Sequence, residues 1–295
     1  MDGIKIACPK CQWQPDGQPH WKCRCGYRWN TFETKWKCPE CGIQWQDTYC
    51  PGCGKSSVHD EWYTTYVIRE EQPPANIIEL KIRKDKVESK LISYGLKDSK
   101  ITYLPYLDFS PEEFQTPYEV GCRILILWAV SYVAANLNEK YEIANWLKIC
   151  GLWDRVSEEE KKLFTEDLSE RALMDFSWHL EAVVVLCWAV NLLEVLPDLN
   201  TQISDSAVDG LMAKLPICEN PEIFLSILEY RDKEEIFIEN IINEMITWYL
   251  RDRMLNKKEN ESNVNSTISF ERHYALNWVR KFSEISEWDE TDTST

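Results

Sequence analysis

Apolar positions along this chain fall into two regimes. From residue 116 onward they gather in long runs and helical stripes. Val120 to Ala135 is almost wholly apolar, with Arg123 near its start. Leu180 to Leu196 is interrupted by Glu181 and Glu194. From Asp232 to about Leu255, Ile236, Ile238, Ile241, Ile242, Met245, Trp248 and Tyr249 recur at helical spacing. Start signals precede these stretches. Thr116-Pro117-Tyr118-Glu119 reads as a capping box with proline at the first helical position, and Ser110-Pro111-Glu112-Glu113 repeats the pattern. Ser157-Glu158-Glu159-Glu160 opens a short helix toward Phe164. Ser169 caps a helix running to about Leu196, which Pro197 follows. Asn256 to Ser266 is polar and reads as a mobile loop, and Phe270 to Phe282 as a last helix. No sustained strand alternation occurs in this region, so it is predicted to be mostly α-helical.

The first 66 residues follow neither period. They carry eight of the 12 cysteines and, up to residue 63, six of the 14 tryptophans, and are expected to form short β-hairpins and knuckles. Between the two regimes, Arg69-Glu70-Glu71-Gln72-Pro73-Pro74-Ala75-Asn76 reads as an extended linker. The expected organisation is a small module over 1–66, a linker over 67–80 and an acidic all-α domain over 81–295.

Charge sharpens this division. Residues 1–63 hold 8 Lys and Arg against 7 Asp and Glu, whereas the rest holds 25 against 42. A formal net charge of −16 makes the chain a poor general binder of nucleic acid, because phosphate binding is driven by cationic neutralisation. The N-terminus lacks a basic segment followed by an apolar one, so no signal peptide is expected. Both long apolar runs fall short of about 20 residues and carry charge, so they are expected to be core helices rather than membrane spans. The expected setting is soluble, reducing and cytoplasmic, with no membrane partner.

The cysteine spacing carries the chemistry. Cys8-x2-Cys11, Cys23-x-Cys25, Cys38-x2-Cys41 and Cys50-x2-Cys53 form four close pairs, and Gly26, Gly42, Gly52 and Gly54 supply turn freedom beside them. Eight thiolates complete two tetrahedral four-cysteine zinc sites. The simplest pairing is sequential, with Cys8, Cys11, Cys23 and Cys25 on one ion and Cys38, Cys41, Cys50 and Cys53 on the other. The interleaved pairing joins 23/25 with 38/41 and 8/11 with 50/53. Disulfides do not suit a reducing setting, and an iron–sulfur cluster is the other use of such thiolates. Filled thiolate shells imply structural rather than catalytic zinc, with His20 and His59 not required. A segment this short draws much of its folding energy from the metal. Cys122, Cys150, Cys187 and Cys218 stand apart from this pattern.

A faint repeat runs through the module. Trp21-Lys22-Cys23-Arg24-Cys25-Gly26 echoes Trp36-Lys37-Cys38-Pro39-Glu40-Cys41-Gly42. Tryptophans 13, 21, 29, 36 and 45 flank the knuckles. They could form a stacking platform for single-stranded nucleic acid with Arg24 and Arg28. The expected role is a small core or a protein-binding surface. Gly54-Lys55-Ser56 resembles the tail of a phosphate-binding loop, but Tyr49 occupies the position where that motif needs glycine. No other nucleotide-binding, zinc-protease or serine-hydrolase motif is found.

Within the helical region Arg123, His179, Glu181, Arg251, Asp252, Glu271, Arg272, His273 and Asn277 interrupt apolar segments. Their expected role is paired core charges. Were they to converge, Glu181, Arg251 and His273 would be the candidate catalytic groups of an enzyme, with Glu181 and His273 as an acid/base pair. Such a site would suit hydrolysis or acid/base work on an anion held by arginine.

Several blocks carry a resemblance. They are Leu152-Trp153-Asp154, Phe176-Ser177-Trp178 through Glu181-Ala182, Arg251-Asp252, Glu271-Arg272-His273-Tyr274-Ala275-Leu276-Asn277-Trp278 and the terminal Trp288-Asp289 to Thr293. Over roughly Lys84 to Thr295 the chain resembles a helical bacterial domain-of-unknown-function family. Here Asn256-Lys257-Lys258 leads into a longer polar insert than that family's short Asn-Gly turn. The resemblance implies a fold and a polar constellation, not a reaction. The N-terminal module resembles a double zinc ribbon, a type often used as an adaptor. The expected function is a zinc-binding interaction or regulatory protein, with the ribbon as adaptor and the acidic helices binding a basic protein partner. An interhelical enzyme and single-stranded nucleic-acid binding by the ribbon are the alternatives.

Overall fold

A computed structural model describes residues 2–67, 77–97, 99–111 and 114–294. The expected linker over 69–76 and the acidic half of the Ser110-Pro111-Glu112-Glu113 box lie outside the described residues. The chain divides into two compact units, Met1–Pro74 and Ala75–Thr295.

The first unit is built from three small antiparallel pairs. Strand β1 (Asp2–Ile6) pairs with β6 (Tyr63–Val67), bringing Ile6 opposite Tyr63. Strands β2 (Trp21–Lys22) and β3 (Arg28–Trp29) form one hairpin, and β4 (Asp47–Tyr49) and β5 (Ser56–Val58) another. Strands this short cannot sustain themselves. Two small clusters fill the interior, one around Trp21, Trp29, Cys23 and Cys38, the other around Trp62, Cys8 and Cys50. All six tryptophans of the unit are buried or half-buried. The Trp21 indole donates to the carbonyl of Tyr49, and Trp29 donates to the Thr34 hydroxyl.

The second unit is helical, with no strand among its described residues. Helix α1 (Ile77–Ser93) starts inside the segment expected as linker. Helix α2 (Pro117–Ala135) starts as the sequence predicts. The Thr116 side chain accepts from the Glu119 N–H, and Pro117 takes the first turn, where no N–H is needed. Fourteen of its residues from Val120 to Ala134 are buried. Gly121 lies where an added Cβ would come within 2.6 Å of the Leu225 and Leu228 side chains, so any larger residue would force those leucines to shift. Short helices α3 (Lys140–Ile149) and α4 (Glu158–Thr165) follow. Ser157 and Glu160 make both halves of the capping box at α4.

The helix expected from Ser169 to Leu196 is shorter and broken. Helix α5 (Glu170–Ser177) gives way at Trp178 to α6 (His179–Ala189). Asn191 then turns left-handed at φ 60°. The Arg231 guanidinium accounts for the stop, since it donates to the carbonyls of Trp188, Leu193 and Glu194 and lies 4.0 Å from the Trp188 ring. Helices α7 (Asp205–Met212) and α8 (Glu222–Ser226) lead to α9 (Lys233–Leu255). Asp232 caps α9, and Asn265 caps α10 (Ser266–Val279). The intervening polar loop is tied down. Its Asn263 and Asn265 N–H groups donate to the carbonyls of Tyr94 and Leu199.

Helices α2, α6 and α10 line the larger core, and α1 packs on α9 around Leu80, Val87, Leu91, Phe237, Ile241 and Ile246. By length and composition, α2 and the α5–α6 stretch could each cross a membrane. In the fold, 78% of the apolar window of α2 and 50% of that of the α5–α6 stretch are buried.

Candidate metal centres

Each cysteine pair sits on the same backbone device. The N–H of Cys8, Cys38 and Cys50 donates to the carbonyl five residues on, at Trp13, Ile43 and Lys55. The residue four positions on donates back to the cysteine carbonyl, and it is left-handed in all three: Gln12 at φ 62°, Gly42 at 73° and Gly54 at 70°. The shorter Cys23-x-Cys25 pair tightens this turn by one residue, with Gly26 at φ 97°. Such turns aim both sulfurs of a pair to one side. Gln12 is the one side chain paying the left-handed cost. Gln12→Gly is therefore expected to stabilise the metal-loaded unit by about 0.5–1 kcal/mol, read as a raised unfolding midpoint; an unchanged or lower midpoint would contradict this reading of the turn.

The four pairs converge as two tetrads, Cys8, Cys11, Cys50 and Cys53, and Cys23, Cys25, Cys38 and Cys41. The pairing is thus the interleaved one, with the second tetrad nested inside the first along the chain, and the sequential pairing is overturned. The reason is long-range. Pairing of β1 with β6, together with the Ala7 N–H donated to the Trp62 carbonyl, brings the first and last knuckles together. The Trp21 and Trp36 repeats then face each other across the inner tetrad. That repeat was the signal for the correct partners.

Within each tetrad all sulfurs lie within 4.8 Å of one another. Sulfur–sulfur separations include 3.6 Å for Cys11–Cys50 and 3.9 Å for Cys8–Cys53 in the outer set. In the inner set they include 3.5 Å for Cys23–Cys41 and 3.7 Å for Cys25–Cys38. Disulfides would need about 2.05 Å. A tetrahedron with metal–sulfur bonds of about 2.3 Å has edges of about 3.8 Å. The donor sets therefore fit a tetrahedral metal ion. Burial works against ionising Cys8, yet the N–H groups of Lys10 and Cys11 hold it near 7. The N–H of Cys25, against burial, holds Cys23 at about 6. Burial pushes Cys50 up to about 12.

The two nearby histidines serve elsewhere. His59 is buried between the Thr48 and Tyr63 hydroxyls and stacks on Phe32. His20 pairs with Asp16 at 2.7 Å. Of the isolated cysteines, Cys122 and Cys187 are buried, Cys150 is half-buried and Cys218 is exposed.

The polar residues of the helical unit form several distinct networks. Arg123 holds both oxygens of Glu160 at 3.0 Å and stands 4.9 Å from the Trp288 ring. His179 meets Glu271 at 3.0 Å; burial opposes its charge, but the carboxylate raises its pKa. Arg272 donates to Glu181 at 3.0 Å, both fully buried, and to the Pro197 carbonyl. The other Glu181 oxygen accepts from the Ile203 N–H. His273 meets Thr247 at Nδ1, while its Nε2 is buried without a hydrogen-bond partner. Asn277 accepts from Asn240 and donates to the Asp292 carbonyl, and Arg251 reaches Thr293.

Candidate residues Glu181, Arg251 and His273 thus have different partners. Arg251 lies near enough to His273 for its charge to be felt, whereas Glu181 is committed to Arg272. Both Glu181 and His273 are sealed in the core. Every polar side chain of the Glu271–Trp278 block has such a task. Tyr274 and Trp278 complete it by donating to the Trp288 and Ser286 carbonyls, binding the C-terminal segment onto α10.

Burial, reinforced by the charges of Arg251 and Arg280, depresses His273 to about 4. A histidine whose folded pKa lies below its unfolded value of about 6.5 contributes stability above that value, lost as pH falls toward the folded pKa. Between pH 6.5 and 4 the helical unit should lose about 3 kcal/mol through this group. His273→Gln removes that component, so the variant's denaturant-unfolding free energy should fall less steeply than the wild type's. Parallel pH profiles would count against it.

The model of a family described as a domain of unknown function, DUF4272, matches residues 83–291. No curated protein and no solved structure matches the chain.

Proposed function

The chain belongs to the DUF4272 family, and from that premise we propose that it is a zinc-binding interaction and regulatory protein. Its N-terminal unit is a double zinc ribbon acting as adaptor, and its acidic helical domain is the scaffold that receives a basic protein partner in a reducing, cytoplasmic setting. The observation that carries this reading is the pair of closed tetrads. Four sulfurs at tetrahedral spacing leave no open coordination position for a substrate, which favours a structural ion over a catalytic one. Zinc supplies a rigid cross-link there, and the chain's own part is to present four thiolates from left-handed turns.

Charge supports the second half. With 25 basic against 42 acidic residues beyond residue 63, the helical domain favours encounter with positive surfaces. Burial of Trp21, Trp29 and Trp62, with the other three module tryptophans half-covered, favours a protein-binding adaptor over a stacking platform, which needs exposed ring faces. The test is affinity capture on the tagged, zinc-loaded full chain from host extract, at about 50 mM and about 500 mM salt. A stoichiometric basic protein retained at low salt and released at high salt is expected. A bait that retains nothing, or whose partner ignores salt, would sink the electrostatic reading.

A further inference from the structure

A surface cavity of 370 Å³ belongs to the helical unit, which holds neither cysteine tetrad, and is independent of the proposed function. Three aromatic rings line it. Tyr103 and Tyr106 come from a 3-10 turn and the residue before it, and Trp248 from α9. Tyr103 is 61% exposed, Trp248 51% and Tyr106 36%. The turn is a fixed feature. Leu107 is fully buried beneath it, and Arg83 of α1 donates to the Leu107 carbonyl at 3.2 Å. On α9, Glu244, Met245 and Trp248 share the facing side at one-turn spacing.

The carboxylate of Glu244 belongs to the same cavity lining. One buried oxygen, Oε2, has no hydrogen-bond partner. The Tyr106 hydroxyl lies near enough to the carboxylate to be felt by it. Burial pushes the Glu244 carboxyl up; the Tyr106 hydroxyl and the charge of Arg280 oppose that effect. Burying a carboxylate with an unsatisfied oxygen is costly, and a cation nearby offsets the cost. Partly exposed rings grouped around such a charge supply what a poorly hydrated cation needs, namely quadrupole faces and a counter-charge. A single carboxylate is too few ligands for a divalent ion, and its charge disfavours anions. Lys100, exposed on the rim, can instead meet a negative group at the far end of the ligand.

We propose that Tyr103, Tyr106 and Trp248, lining one cavity with Glu244, form a binding site for a trimethylammonium group, preferentially one carrying a carboxylate that reaches Lys100. The group could arrive on a free zwitterion of the betaine type or on a trimethylated lysine side chain.

The test uses the zinc-loaded full chain. Betaine is titrated by calorimetry and by line broadening of its methyl proton signal, beside 3,3-dimethylbutyrate, the neutral-headed isostere with carbon in place of nitrogen. Betaine is expected to bind at or below about 10 mM, and the isostere at least about tenfold more weakly. Trp248→Ala and Glu244→Gln should each weaken betaine about fivefold or more, with an unchanged thermal midpoint. Should Glu244→Gln unfold, Tyr103→Ala replaces it, because that side chain is mostly exposed. A trimethyllysine peptide binding more tightly than betaine would support the site and assign the group to a protein; weaker binding would support a free solute. No broadening by betaine or the peptide at about 10 mM, equal binding of the isostere, or unchanged binding in the folded variants would overturn the proposal.

Discussion

Stripping the metal is expected to unfold the N-terminal unit while leaving the helical unit folded. The first unit has strands of two to five residues, and its two small cores are made largely of the ligand cysteines and the tryptophans around them. Nothing else in that unit approaches the binding free energy of a structural zinc site, about 10–16 kcal/mol. The helical unit has cores of its own around α2, α6 and α10 and around α1 and α9. Chelation under reducing conditions should expose the backbone amides of residues 2–67 to rapid hydrogen exchange. Protection in α2, α9 and α10 should be unchanged. Protection persisting across the first unit after chelation would contradict a metal-held fold.

The second large effect is expected at the pair Glu181 and Arg272. Both side chains are sealed from solvent, so truncating one leaves a buried charge unpaired. Glu181→Ala should destabilise the helical unit by about 3–5 kcal/mol. Replacing both partners by apolar residues of similar volume, Glu181→Leu with Arg272→Met, removes the desolvation problem from both sides. That double variant should recover most of the loss. Denaturant unfolding followed by helical circular dichroism checks this. A single variant within about 1 kcal/mol of wild type would contradict the pairing, and so would a double variant as unstable as the single one.

What was legible in the sequence was what local chemistry decides. Thr116, Ser157 and Asp232 satisfy N–H groups two or three residues away, and their helices start there. The eight cysteines and their turns could be read because each knuckle is a local device. The helix stop after Ala189 could not be read, because apolar residues continue past it to Leu196 with only Asn191 and Glu194 between, and the residue that claims its last carbonyls is Arg231, some 40 positions on. Tetrad pairing depends on β1 meeting β6, a contact between the ends of the module, although the Trp-Lys-Cys repeat pointed to the inner partners. The buried polar residues could be placed in the core by periodicity. Their partners could not, since Arg123 and Glu160 are 37 residues apart and Glu181 and Arg272 are 91. The cavity shared by the three aromatic side chains and Glu244 likewise joins a turn near residue 105 to the far half of α9.

The claim that most of this account rests on is two nested metal sites, and native mass spectrometry of the Cys8→Ser, Cys50→Ser double variant tests it most directly. The wild-type chain should carry two zinc ions. In the nested arrangement both substitutions fall on the outer tetrad, so the variant should keep one zinc, held by Cys23, Cys25, Cys38 and Cys41. A variant that has lost both ions, or still holds two, would contradict the nested sites, and a wild-type chain carrying iron and sulfide instead of zinc would contradict the metal.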